Sequence, residues 1–311
     1  MKGWRVAVVA WPIDGESRPR GLEGKLEGIG AWIEARGRPA SVLVQEVVHG
    51  GHDVLVVYGR PADVGAIAEA LDGAGSGGLQ VLALPTGPMA ALCADIGLEG
   101  DVGEVLGRVV RLSKMGVGAG RRAPRHVLRR TLRVAASFEA EPRFGFSLGL
   151  GRMGDVMEAS SRGTRAVLGL ARDWAKEAAS ELLPGGPSSS GGMGRGEGRV
   201  AVDHVPFAEA LRFTAVSTLS KLPAGLKGFE RSVEDSARFH VLWADLNALL
   251  SQGAMAMLPG RRAGGTLRRV SASHLAADLD SDFVLDGVRV VASGAWSLGV
   301  SPGPVVPLVV V

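Results

Sequence analysis

The sequence predicts an α/β plus β chain, an N-terminal three-layer α/β domain on a parallel sheet followed by a C-terminal antiparallel β-sandwich, and two observations carry that prediction. Through residue 112, short β-branched runs alternate with amphipathic helical patterns, as in a parallel sheet covered on both faces. From about residue 126 the texture changes to short alternating segments, which read as antiparallel strands around a second core. The expected division is an α/β domain over 1–125 and a sandwich over 126–311, with a flexible loop at 184–198. At 311 residues there is length enough for two domains with a core each.

In chain order, MKGWRVAVVAWPIDG holds a short apolar run followed by Pro12 and Asp14 without a small-residue cleavage pattern. A first strand, RVAVVAW, is expected there rather than a signal peptide. A helical pattern follows at GLEGKLEGIGAWIEARG, then the β-branched runs SVLVQEVV and DVLVVY. The helix at PADVGAIAEALDG is well defined: Pro61 suits the first helical position, and Val64, Ile67, Ala68 and Leu71 share one face. Asp63 then falls in the first turn, where a carboxylate complements the helix dipole. LQVLAL and two further helices complete the first part. In the second part TLRVAASF, RFGFSLGLG, RVAVDHV, LRFTAVSTL, RFHVLWA, DFVLDGVRVVASG and AWSLGVS read as strands. One helix face interrupts them, at Val167, Leu170, Ala171, Trp174, Ala178 and Leu182. The PGGPSSSGGMGRGEG stretch after it has too little apolar surface to offset the entropy of ordering.

Composition narrows the function classes. Apolar residues at 46% and charged residues at 22% describe a globular chain, and no apolar run approaches the roughly 18 residues of a bilayer span, so a cytoplasmic location is expected. The single Cys93 lies in an apolar helical context and reads as a small buried hydrophobe, which leaves no disulfide framework and no cysteine metal site. His49 and His52 in HGGH lack a cluster of acids or cysteines to complete a coordination shell, so a surface loop and no metal site are expected. A net charge of +3 comes from arginine, densest in RRAPRHVLRRTLR with Arg121, Arg122, Arg125, Arg129, Arg130 and Arg133. With no interleaved aromatics to stack bases, the run points away from nucleic acid. It reads either as a peripheral contact for anionic lipid headgroups or as a solvated basic connector. G-x-S-x-G, Walker lysine and first-strand G-x-G-x-x-G motifs are absent, and MGVGAGRR reads as an interdomain loop.

Two segments, LVVYGRPADVGAIAEAL and LPTGPMAALCADIGLEGD, each pass from a strand through a glycine turn into a helix whose free N–H groups could face an anion. Turns from neighbouring parallel strands converge at the strands' carboxyl ends, where open α/β sheets place ligands. The expected phosphate or nucleotide cleft is lined by Gly59, Arg60, Asp63, Thr86 and Gly87.

The segment order resembles the diacylglycerol kinase catalytic fold shared by bacterial lipid kinases and sphingosine kinases. In that family the first turn reads G-G-D-G-T, and here it reads Gly59, Arg60, Pro61, Ala62, Asp63. A second family pattern, P-x-G-T-x-N-D-F-A followed by x-x-L-G-I and an acid, lies without a gap over Pro85, Thr86, Gly87, Pro88, Met89, Ala90, Ala91, Leu92 and Cys93, then Ile96, Gly97, Leu98 and Asp101. VEDSARFHVLWADLNALL is similar to the family's D-G-x-L-D-V-x-x-V segment, and Asp286 with Gly287 matches its L-D-G-E turn, where Val288 replaces the glutamate.

The resemblance implies a nucleotide-binding α/β domain, a lipid-holding sandwich, ATP and Mg2+, an organising aspartate in the first turn, and the L-D-G-E glutamate as general base. Pro61 and Val288 occupy those two places. Proline offers neither N–H nor metal ligand, and valine accepts no proton. Loss of a general base alone costs about 10²- to 10⁴-fold. The expected protein is therefore a pseudokinase that needs no cofactor and binds a lipid or other apolar ligand, or serves as a homo-oligomeric or heterologous partner. The alternative is an active ATP- and Mg2+-dependent lipid kinase with a displaced site, in which Asp286 stands in as base and Asp63 and Arg60 contact phosphate or metal.

Overall fold

The structure, a computed structural model, describes residues 4–11, 24, 26, 30–74, 78–87, 89–115, 124–162, 165–167, 169–170, 172–173, 197–210, 213–220, 229, 237–244 and 267–311. Its first part runs β1 (Val6–Ala10), β2 (Gly30–Glu34), α1 (Ala40–His49), β3 (Val54–Tyr58), α2 (Pro61–Ala74), β4 (Gln80–Ala83), α3 (Ala90–Ile96) and α4 (Val102–Met115). The four strands pair in parallel in the order β2-β1-β3-β4. β1 and β3 are buried nearly throughout, which matches their unbroken apolar runs.

Two assignments read from sequence change places. GAWIE, inside the expected helix at 21–37, is strand β2, and the β-branched SVLVQEVV lies in helix α1. In α1 the buried residues are Leu43, Val44 and Val47, a helical rather than alternating spacing, so tertiary burial outweighs β-propensity. At the start of β2, Gly30 lies against the Val6 carbonyl so closely that no Cβ fits.

The second part contains β5 (Arg125–Ala136), β6 (Arg143–Gly145), β7 (Ser147–Gly151), α5 (Arg152–Ser161), β8 (Glu197–Val202), β9 (Val205–Ala210), β10 (Phe213–Ser217), β11 (Phe239–Ala244), β12 (Leu267–Ala272), β13 (Leu275–Leu279), β14 (Phe283–Leu285), β15 (Val288–Val290) and β16 (Trp296–Val310). One antiparallel sheet has the order β12-β11-β10-β7-β14-β15. Facing it, β16, β13, β8 and β9 extend the sheet begun by β1 to β4. Helix α5 is an element the sequence reading did not anticipate. Of the helix expected from Val167 to Leu182, the described residues 167, 169–170 and 172–173 are helical and the rest lie outside the described residues. The expected loop at 184–198 also lies outside them, except Glu197 and Gly198, which open β8.

Strand β16 joins the two parts. Its first residues pair antiparallel with β13, and Leu308 near its end is registered in parallel with Val81 of β4. Along its other side β5 pairs from Leu298↔Ala136 to Val310↔Arg125, with an irregularity between Pro302 and Val305 where the prolines remove ladder donors. Val306, Leu308 and Val309 pack in the first core with Val56, Ile67 and Leu82, while Trp296, Leu298 and Val300 pack between the facing sheets with Leu148, Phe239 and Phe283. A third cluster sits under α5, where Met153 and Met157 meet Phe213, Ala215 and Val284.

Cys93 is buried in the first core with its Sγ–H directed at the Ala83 carbonyl, 3.7 Å away, and burial pushes the thiol up to about 12. The native protein is expected to leave DTNB unreacted until denaturant unfolds it; fast labelling of the native state would contradict the placement. Among the described residues no helix is long and apolar enough to cross a membrane.

Candidate functional site at the strand-to-helix turns

The first turn is built by residues 58 to 63. β3 ends at Tyr58, Gly59 and Arg60 reverse the chain, and Pro61 enters α2 at the position where its missing N–H leaves no bond unmade. Asp63 then folds back on the turn. Its Oδ2 accepts the Arg60 N–H at 2.6 Å, the carboxylate half of a capping box, while its own N–H donates to the Arg60 backbone carbonyl at 3.0 Å. A Cβ at position 59 would lie 2.5 Å from Asp63 Oδ2 and 3.3 Å from the Trp11 Cβ, so only glycine admits this carboxylate.

The second turn leaves β4 at Leu84 and reaches α3 through Thr86 and Gly87. Thr86 is 4% exposed, and its hydroxyl donates to the Gly59 carbonyl at 2.7 Å. The strands' carboxyl ends thus bring Gly59, Arg60, Asp63 and Thr86 together, with Gly87 exposed beside them. Trp11, which follows β1 and donates its N–H to the Tyr58 carbonyl at 2.8 Å, borders the same turn. No sequence motif marked it.

Asp286 reaches this region from the other part of the chain. Leu285 and Val288 pair across a two-residue turn in which Asp286 and Gly287 have φ of 50° and 81°, the left-handed pair that an Asp-Gly hairpin supplies. The Asp286 carboxylate is buried and accepts from three donors. Phe146 N–H lies 3.1 and 3.0 Å from its two oxygens, and the Ser147 N–H and hydroxyl reach Oδ1 at 2.8 and 2.9 Å. Asp286 N–H completes the knot by donating to the Ser147 carbonyl at 2.8 Å. Gly145 faces Asp286 Oδ2 with no room for a side chain. Val288 opens β15 and is partly buried.

These two carboxyls lie within electrostatic range of each other. The α2 helix packs Gly65 onto Phe144, where a Cβ would lie 2.8 Å from the Phe144 carbonyl group, so Asp63 in its first turn is brought beside the segment Asp286 holds. Burial pushes Asp63 up to about 6, against the bond and charge of Arg60. Burial likewise pushes Asp286 up to about 7, against the Phe146 and Ser147 donors, and the negative charge of Asp63 adds to the rise.

Within the arginine run, Arg125 and Arg133 are exposed, Arg130 is partly buried and Arg129 is buried. Arg129 is turned inward: its Nε donates to Asp95 Oδ2 at 2.8 Å, and the two side chains are 7% and 0% exposed. Ser220 donates its N–H and hydroxyl to Asp95 Oδ1 at 2.8 and 2.6 Å, so α3, β5 and the segment after β10 meet at one buried charge pair. Arg125 donates to the Ile96 carbonyl at the end of α3, and Arg130 donates to the Gly303 carbonyl at 2.8 Å. Arg121 and Arg122 lie outside the described residues. Sequence reasoning missed Asp95, although a lone acid within the apolar pattern of α3 was the available signal. His49 and His52 each set Nδ1 against a carbonyl of α1, that of Gln45 at 2.7 Å and that of Val47 at 3.1 Å.

No protein-family model matches the chain, and no curated protein matches it. Solved structures do. A diacylglycerol kinase from Bacillus anthracis str. Sterne is similar with a TM-score of 0.52 at 10% identity, over 98% of this chain and 95% of that one. Two further structures from that strain, named as candidate diacylglycerol kinases, each give 0.55 at 10% identity, over 97% and 99% of this chain and 95% and 98% of theirs. At this identity the likeness is one of fold: the chain has a diacylglycerol-kinase-like fold over nearly its whole length.

Proposed function

We propose that this chain is a non-catalytic protein on the lipid-kinase fold that binds an apolar ligand such as a lipid. One observation carries the loss of catalysis: both carboxyls near the turns are committed to backbone donors, Asp63 to Arg60 and Asp286 to Phe146 and Ser147. The place where the family pattern has its base holds Val288. The first turn does not fit a nucleotide phosphate, because Asp63 already occupies the Arg60 N–H. Room for an apolar ligand exists elsewhere. A concavity of about 680 Å³ on the sandwich has walls of Val200, Ala201, Pro206, Ala276 and Ala277, with Arg199 and Asp278 also lining it. That volume suits a small ligand held by apolar contact and oriented by a few charges. The contacts of Arg125, Arg129 and Arg130 favour a structural role over headgroup binding.

A second reading, an active lipid kinase with a displaced site, draws on the neutral-range carboxyls, since general bases work best with pKa values near the operating pH. Isothermal titration with Mg-ATP separates the two. The expected result is no Mg-dependent binding, and clear Mg-dependent binding would remove the non-catalytic reading. Native mass spectrometry of purified protein is expected to show a co-purifying apolar molecule.

A further inference from the structure

We infer that the concavity on the sandwich takes a single-chain amphiphile with a zwitterionic head, its acidic group against Arg199 and its ammonium against Asp278. The inference rests on the apolar-ligand reading and names the class of ligand. The concavity, about 680 Å³, has walls from β8, β9 and β13 and is of ordinary ligand size. It lies on the outer face of its sheet. Val200, Val202, Leu275, Ala277, Leu298 and Val300 face the second sheet in the core, so the residues that alternate with them point the other way. Pro206, Ala201, Ala276, Gly299 and Ala135 are registered in one row across β9, β8, β13, β16 and β5 on that outer side. The row continues the floor of the concavity as a shallow apolar trough, roughly 19 Å long at the usual strand spacing. Neither backbone nor crowding demands the glycine: Gly299 is outside the left-handed region, and a Cβ there would meet the Ala135 carbonyl oxygen only at 4.0 Å. A side chain would fit and would fill the trough, and a strand glycine is at home where a ligand approaches the sheet closely.

Two charges select the head. Arg199 and Asp278 stand directly opposite each other beside the row, both exposed and both lining the concavity. Among the described residues neither forms an ion pair or a side-chain hydrogen bond, whereas Arg143, Arg162 and Arg289 are each held by an acid. On the other bank of the trough Arg133 is registered with Ser301 and acts on Glu69 of α2. One uncommitted cation and one uncommitted anion a strand apart match a head that carries both signs. A head of a single sign meets one of them and is repelled by the other. A second copy of the chain would satisfy the charges but not the shape, since a concave face is not complementary to itself.

Isothermal titration with four amphiphiles of one chain length, each below its micelle concentration, tests the assignment: dodecylphosphocholine, dodecyl maltoside, dodecyl phosphate and dodecyltrimethylammonium. Dodecylphosphocholine is expected to bind about three- to tenfold more tightly than the other three, the scale of two solvent-exposed charge contacts. Arg199→Gln and Asp278→Asn, both at exposed positions, are each expected to remove most of that preference and to leave maltoside binding unchanged. Gly299→Leu is expected to weaken all four by filling the trough. Ala276→Leu, in the same row, is the second variant should Gly299→Leu not fold, with a melting curve as the check. The two ways of failing are distinct. Binding that ignores the head group, or a preference that survives both Arg199→Gln and Asp278→Asn, overturns the zwitterion and leaves the apolar-ligand reading standing. Binding indifferent to Gly299→Leu and Ala276→Leu overturns the location. Binding of none of the four overturns the apolar-ligand reading and the inference with it.

Discussion

Replacing Arg129 by alanine is expected to destabilise the protein by about 3–5 kcal/mol, because it leaves Asp95 ionised and buried without its cation. The expectation follows from the geometry: the pair is 2.8 Å apart, with side chains 7% and 0% exposed. Ser220 supplies two donors to Asp95, but neither neutralises it. Chemical denaturation measures the loss. The double variant Arg129→Met with Asp95→Leu is expected to recover most of it, since removing both charges removes the desolvation cost along with the attraction. A loss below about 1 kcal/mol, the range of solvated surface pairs, would show that water reaches the pair.

Asp286→Ala is the second large effect. It leaves the Phe146 N–H, the Ser147 N–H and the Ser147 hydroxyl without their acceptor in a residue environment 5% exposed. At about 1–3 kcal/mol for each buried group left unmatched, the loss is roughly 3 kcal/mol or more. Asp286 also links stability to pH. Its folded value of about 7 lies above the ordinary carboxyl value of 3.8, so the protonated form is favoured by folding. The stability it contributes is complete below about pH 4 and is lost as pH rises through about 7, on the order of 4 kcal/mol in all. Melting temperature is therefore expected to fall between pH 5 and pH 8, with a shallower fall in Asp286→Asn, which keeps the turn conformation and cannot ionise. A rise over that window, attributable to Asp286 by its absence in Asp286→Asn, would reverse the sign of the argument.

Much of the site was legible in the chain because turn chemistry is local. Gly59, Pro61 and Asp63 lie within five residues, and their roles as turn, first helical residue and first-turn acid follow from backbone geometry. Convergence of Thr86 with Gly59 followed from two similar segments on neighbouring parallel strands. The arginine run was harder to read, since a string of like charges is the same in sequence whether its members face water or an acid 34 residues away. Arg129 and Asp95 show the second case. Strand β2 and helix α1 exchanged places for a related reason: five to eight residues of pattern do not say which neighbour will bury them.

By itself the sequence determined the alternation of strand and helix, the change to antiparallel texture, the glycine turns, and a resemblance to the diacylglycerol kinase pattern in which Pro61 and Val288 fall where that pattern has an acid and a base. These depend on near neighbours or on residue chemistry alone. Only the tertiary structure decided that β16 runs from the sandwich into the parallel sheet, that Asp286 spends its oxygens on Phe146 and Ser147, and that its carboxyl comes within range of Asp63. Those facts depend on residues as much as 227 positions apart, the separation of Val81 and Leu308 in the numbering. What a buried carboxylate does is set by the donors and charges folding places around it, and one-dimensional spacing does not encode that.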